Sequence, residues 1–121
     1  MPNYPDSFDR MLDAWNEQDP TRIRAHLEAA LTSDVYFADP TIVLTGIDDF
    51  EKMVHEVQGR IPGAVYSRTS RVDTHHDLYR YHWAIHVNGE QIVQGFDVVE
   101  ERKGKVARVL GFFGDLPINA T

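Results

Sequence analysis

No cysteine occurs among the 121 residues, which excludes disulfides, a thiol nucleophile and thiolate-held metal. Cations are scarce: 12 Lys plus Arg stand against 19 Asp plus Glu, a net charge of −7. Such a chain lacks the clustered cations that neutralise nucleic-acid phosphates. Long apolar runs are missing too, and nothing approaches the ~20 residues that cross a bilayer. The start, Met1-Pro2-Asn3-Tyr4-Pro5, has neither the basic residues nor the apolar stretch of a secretory signal, so the expected setting is the cytoplasm. No phosphate-binding glycine loop, Gly-x-Ser-x-Gly elbow, internal repeat or Pro/Gly/Ser-rich linker is found. What is present is 42 % apolar and 11 % aromatic residues, spread along the chain. That suffices for one folded domain over residues 1–121 and argues against disorder.

The first sixty residues carry helical spacing. Phe8, Leu12 and Trp15, flanked by Tyr4 and Met11, recur at three- and four-residue steps, and Ile23, Leu27, Ala30 and Leu31 repeat the pattern after Asp19-Pro20. A short β-prone run, Val35 to Ala38, stops at Asp39-Pro40. A third helix follows Gly46, with Ile47, Phe50, Met53, Val54, Val57 and Ile61 on one face, and Pro62-Gly63 ends it. From Ala64 the period becomes two. Strands are expected over Val65–Asp73, Leu78–Val87, Gln91–Glu101 and Val106–Phe113, joined through Asn88-Gly89 and Lys103-Gly104-Lys105. The fold class is therefore α+β: three N-terminal helices packed on one face of a curved, mainly antiparallel sheet. In the second long strand Tyr79, Tyr81, Trp83, Ile85 and Val87 share the face toward the helices, and Arg80, His82, Ala84 and His86 the other.

The order of these pieces resembles the nuclear transport factor 2-like superfamily, with its ketosteroid isomerases and SnoaL-like polyketide cyclases. The likeness runs through Asn16-Glu17-Gln18-Asp19, Phe37-Ala38-Asp39-Pro40, Gly46, Pro62-Gly63, Gly95-Phe96-Asp97-Val98, Gly104-Lys105-Val106 and Gly111-Phe112-Phe113-Gly114. It implies a cone-shaped, cystatin-like fold around an apolar pocket. A fold of this kind hosts many chemistries, so it gives little function alone.

Two carboxylates stand out. Asp39 precedes a proline at a strand end, and Asp97 interrupts the apolar run Ile92 to Val99. By resemblance, Asp39 matches the general-base Asp of ketosteroid isomerases and Asp97 the Asp that donates a hydrogen bond to the oxyanion. Desolvation in an apolar pocket raises a carboxyl pKa, suiting it to either role near neutral pH. Met11 falls where the isomerases carry their oxyanion tyrosine, and methionine cannot donate; Tyr81, Tyr36 or Trp15 are the available substitutes. Both acids also have ordinary explanations: Asp39 as an Asx-turn, Asp97 as a buried acid satisfied by a backbone or tyrosine donor.

Met11, Trp15, Tyr81 and Trp83, with Phe50, Met53, Val57, Val109 and Phe113, are core residues first and candidate ligand-binding walls second. His82 and His86 stand four strand residues apart, ~13 Å, too far to share an ion. His75 and His76 fall at a turn. No metal or cofactor is expected. The expected partners are a small apolar organic ligand and a second copy of the chain, docked through an outer sheet face carrying His82, Ala84, His86, Phe96 and Phe112. The leading expectation is an enzyme moving a proton on an apolar carbonyl compound; the alternative is a non-catalytic ligand-binding or dimerising module. An epoxide hydrolase on this fold would need an Asp-Arg-Asp relay that the sequence does not display.

Overall fold

A computed structural model describes residues 2–116. Helix α1 spans Ser7–Asn16 and buries Phe8, Met11 and Ala14. Asp19 ends the connection that follows, its Oδ1 accepting from Thr21 N–H (3.0 Å) and Thr21 Oγ1–H (2.7 Å) above the 3₁₀ turn Pro20–Arg22. Helix α2, Ile23–Ala30, buries Ile23, Leu27 and Ala30. Helix α3, Ile47–Arg60, starts at Gly46, whose φ of 92° favours a residue without a Cβ, and it buries Phe50, Met53 and Val54. Burying each large side chain of this set stabilises the fold by roughly 2–3 kcal/mol.

Seven strands form one mixed sheet: β1 Leu31–Asp39, β2 Ile42–Thr45, β3 Ala64–Arg68, β4 Asp73–His75, β5 Leu78–Val87, β6 Glu90–Arg102 and β7 Lys105–Phe113. Their order is β2-β1-β7-β6-β5-β3, with β4 also on β5. The α+β class and helix-covered face agree with the sequence expectation, but three details differ. Asp39-Pro40 does not merely end a strand; it turns the chain into β2, which pairs antiparallel with β1. β1 then pairs in parallel with β7, so the sheet is mixed rather than a four-stranded meander. The expected strand Val65–Asp73 is broken in two. At the break Ser70 Oγ accepts from His82 N–H at 2.8 Å, a side-chain bond where a ladder bond would otherwise run.

Register sorts the inner face into rows. Phe37, Val109, Val99 and Tyr79 align across β1, β7, β6 and β5. One pleat along, Gly111, Asp97 and Tyr81 align, with Asp39 at the end of β1 beside Gly111. The next row is Phe113, Gly95, Trp83 and Arg68, reaching β3. The first row is closed off by the helices: Phe8 meets Tyr79 edge-on at 4.7 Å, and Phe50 meets Phe37 at 5.4 Å. The second and third rows are not closed.

On the outer face Phe96 and Phe112 stack at 4.7 Å beside His82. Phe112 is 49 % exposed. Ala84, expected on that surface, is instead buried, its methyl flanked in register by Gln94 and Ser67. Among the described residues no helix is long and apolar enough to cross a membrane.

Candidate active site

The open rows floor a cavity of about 740 Å³, roofed by α1 and α3. Met11, Trp15, Met53, Val57, Tyr81, Trp83 and Phe113 line it, as do both Asp39 and Asp97. Phe50 and Val109 do not; they sit one layer deeper, fully packed among Phe37, Trp15 and the first row. Six polar residues of the wall were not singled out in the sequence: Thr41 of the turn after β1, Glu56 and Arg60 of α3, and Tyr66, Ser67 and Arg68 of β3. Alternation gave a cue for Arg68, since it lies in register with Trp83 on the cavity side.

Glycines shape the floor. A Cβ on Gly111 would lie 3.1 Å from Asp97 Oδ1 and 3.4 Å from Asp39 Cβ, so the bare residue lets the two acids flank one point. A Cβ on Gly95 would lie 2.0 Å from the Phe112 carbonyl oxygen and 2.6 Å from the Trp83 ring. Trp83 can therefore lie flat across β6, and from there its indole N–H donates to Asp97 Oδ1 at 2.9 Å. Tyr81 stands directly opposite Asp97, with its hydroxyl near enough to favour the ionised carboxyl. Burial pushes the Asp97 carboxyl up to about 7, and the Asp39 charge adds to the rise, while the Trp83 and Tyr81 donors restrain it. Tyr81 itself is pushed well above its usual value, chiefly by burial and then by the Asp97 charge.

Asp39 is held differently. Its Oδ1 accepts from Thr41 N–H (2.8 Å), Thr41 Oγ1–H (2.7 Å) and Ile42 N–H (3.1 Å), which is the Asx-turn that starts β2. Arg68 bonds Asp9 and accepts no freedom from that pair: its guanidinium also donates to Tyr4 Oη at 3.0 Å and lies 5.7 Å from the Tyr81 ring centre. Asn16 fixes the opposite wall. Its amide donates to the Tyr66 carbonyl and accepts from Tyr66 N–H, both at 2.8 Å, while the Tyr66 ring lies 5.1 Å from Trp15. Tyr36 stands on the outer face beside Arg108, away from the cavity. His82 faces outward, and His75 and His76 meet at an exposed turn with ring nitrogens 3.1 Å apart. No group of three His, Asp or Glu able to hold a metal ion occurs among the described residues.

Solved structures agree with this architecture. A SnoaL-like family protein from Agrobacterium tumefaciens, assigned as an isomerase, is 25 % identical, with a TM-score of 0.84 over 90 % of this chain and 95 % of its own. The chain has the nuclear transport factor 2-like fold. A Kribbella flavida protein assigned as a ketosteroid isomerase shares that fold at 20 % identity and a TM-score of 0.70, covering 97 % of this chain and 82 % of its own. So does a ketosteroid isomerase-like protein from Catenulispora acidiphila, solved with trimethylamine, at 13 % identity and 0.74 over 93 % and 88 %. No family model and no curated protein matches the sequence. In the nuclear transport factor 2-like frame of this chain, Met11 lines the cavity without a polar group, and Tyr81 is the hydroxyl that meets Asp97.

Proposed function

We propose that the protein is a small-molecule enzyme that moves a proton on a compact, largely apolar carbonyl compound, without a cofactor. The observation that carries this reading is Asp97: a carboxyl in an apolar cavity, pushed to about 7 and met by two donors. Both donors favour its ionised form, so Asp97 is cast as the base that takes a proton from the carbon next to the carbonyl and returns it at another position. Asp39, with one oxygen committed to the Asx-turn, is cast as the fixed charge that keeps Asp97 basic. These roles are the reverse of those that the family resemblance implied. Tyr81, already beside Asp97, is the hydroxyl placed to donate to the developing enolate oxygen in place of the tyrosine that Met11 displaces.

Asp97→Asn should lower turnover of a reactive ketone by about 10²–10⁴-fold, the usual worth of a positioned base. Unchanged turnover would remove the assignment. The non-catalytic alternative draws support from the trimethylamine held by the Catenulispora protein. A thermal-shift screen of ketones, with mass analysis of each hit, separates the two: a bound but chemically unaltered ligand favours the binding module. The stacked Phe96 and Phe112, with Ile92 exposed nearby, support a homodimer through the outer sheet face. Sedimentation at micromolar concentration tests it, and a monomer contradicts it.

A further inference from the structure

The cavity floor carries negative charge that its own walls do not balance. Asp39 and Asp97 flank the bare Gly111, and neither forms an ion pair among the described residues. Two cations line the cavity. Arg68 is engaged by Asp9 and by the Tyr4 and Tyr81 rings, and Arg60 stands at the exposed end of α3, one turn after Glu56. Beside the carboxylates lies an aromatic surface: Trp83 covers Gly95, and Phe113 meets it edge-on at 5.9 Å. The Trp83 N–H is already spent on Asp97, so the floor between the two acids and Trp83 offers mainly carboxylate oxygens and ring faces. A neutral ligand gains apolar contact there, and an anion is repelled. A cation gains both the Coulomb attraction and the attraction of the ring faces.

We infer that the cavity takes compounds bearing an ammonium centre, with the charged nitrogen over Gly111 and Gly95 between Asp39, Asp97 and the Trp83 ring. The apolar body of such a compound extends toward Met11 and Met53, which the volume of about 740 Å³ accommodates. The inference rests on the cavity assigned above to the substrate and makes that substrate an amine-bearing carbonyl compound. Charge selection follows the protonation of the floor. The groups facing Asp97 are Asp39 from β1, Tyr81 and Trp83 from β5, Arg68 from β3, and Glu56 and Arg60 from α3 across the cavity. Asp97 is the one brought into the neutral range.

The test uses benzyltrimethylammonium, whose charge is permanent and which has no carbonyl to react, and neopentylbenzene, its uncharged carbon isostere. Binding of each is titrated to the full chain in one cosolvent buffer. At about pH 8 the cation should bind at least about tenfold tighter than the isostere, a difference of about 1.4 kcal/mol. That advantage should shrink toward pH 5.5 as Asp97 takes up its proton, and should be lost at pH 8 in Asp97→Asn. Equal binding of the two probes at pH 8, an advantage unchanged by pH in the wild-type protein, or no binding of the cation would each overturn the inference. Because neither probe can turn over, these outcomes are independent of whether a ketone is converted.

Discussion

Two neighbouring rows of one sheet face differ by a single pleat, about 7 Å, and do opposite work. In the first, Phe37, Val109, Val99 and Tyr79 are filled and capped by Phe8 and Phe50. In the second, a glycine replaces the central side chain, acids replace its neighbours, and the helices stand off. The closed row supplies burial; the open row supplies a place where burial is incomplete and a carboxyl is left in apolar surroundings. Stability and chemistry are thus divided between adjacent layers of the same strands, so a change in one layer should read out differently from the same change in the other.

The largest contrast is in packing. Phe50→Ala should cost about 3–5 kcal/mol, because a fully buried ring leaves a cavity. Phe113→Ala, on a 43 % exposed ring of the open layer, should cost under ~1 kcal/mol. Denaturant unfolding measures both, and similar losses would erase the distinction between the layers. A pH-dependent effect belongs to Asp97. Its carboxyl is pushed from 3.8 to about 7, so the folded chain holds a proton that the unfolded chain releases. The stability this contributes is complete below about pH 4 and lost as pH rises through 7. Asp97→Asn should therefore gain on the wild type between pH 5 and 8, by on the order of 4 kcal/mol at pH 8. Parallel stability curves would show that the open layer imposes no such strain. The smallest effect concerns the donors. Trp83→Phe removes a bond to the ionised Asp97 and Tyr81→Phe the hydroxyl opposite it, so the rise of activity with pH should move to higher pH by roughly half to one unit. The Trp83 change should be the larger, and a shift to lower pH would contradict the arrangement.

Much of this was legible in the sequence because it is local. Period-two alternation put Tyr79, Tyr81 and Trp83 on one face, and the Asn88-Gly89 turn marked the hairpin that brings Asp97 opposite Tyr81. The parallel pairing of β1 with β7 joins residues about seventy positions apart, and no local pattern encodes it. β2 was missed because Asp39-Pro40 reads as a stop, whereas the Asp39 side chain uses Thr41 and Ile42 to make it a turn. The depth of a residue was also hidden. Val109 and Gly111 share a face by alternation, and only the helix that stops short of Gly111 decides that one is core and the other cavity floor. Arg68 was passed over because a charged residue on a strand usually marks a solvated side, and here it packs between two tyrosine rings.

The clamp of Asn16 on Tyr66 has a consequence away from the cavity. β3 is the last strand of the sheet, and an exposed terminal strand invites pairing with any other extended chain. By occupying both the N–H and the carbonyl of Tyr66, the Asn16 amide takes the place that an incoming strand would need at the middle of that edge. One side chain at the end of a helix thus serves as a guard against intermolecular aggregation, and it keeps the margin of the sheet private to its own chain.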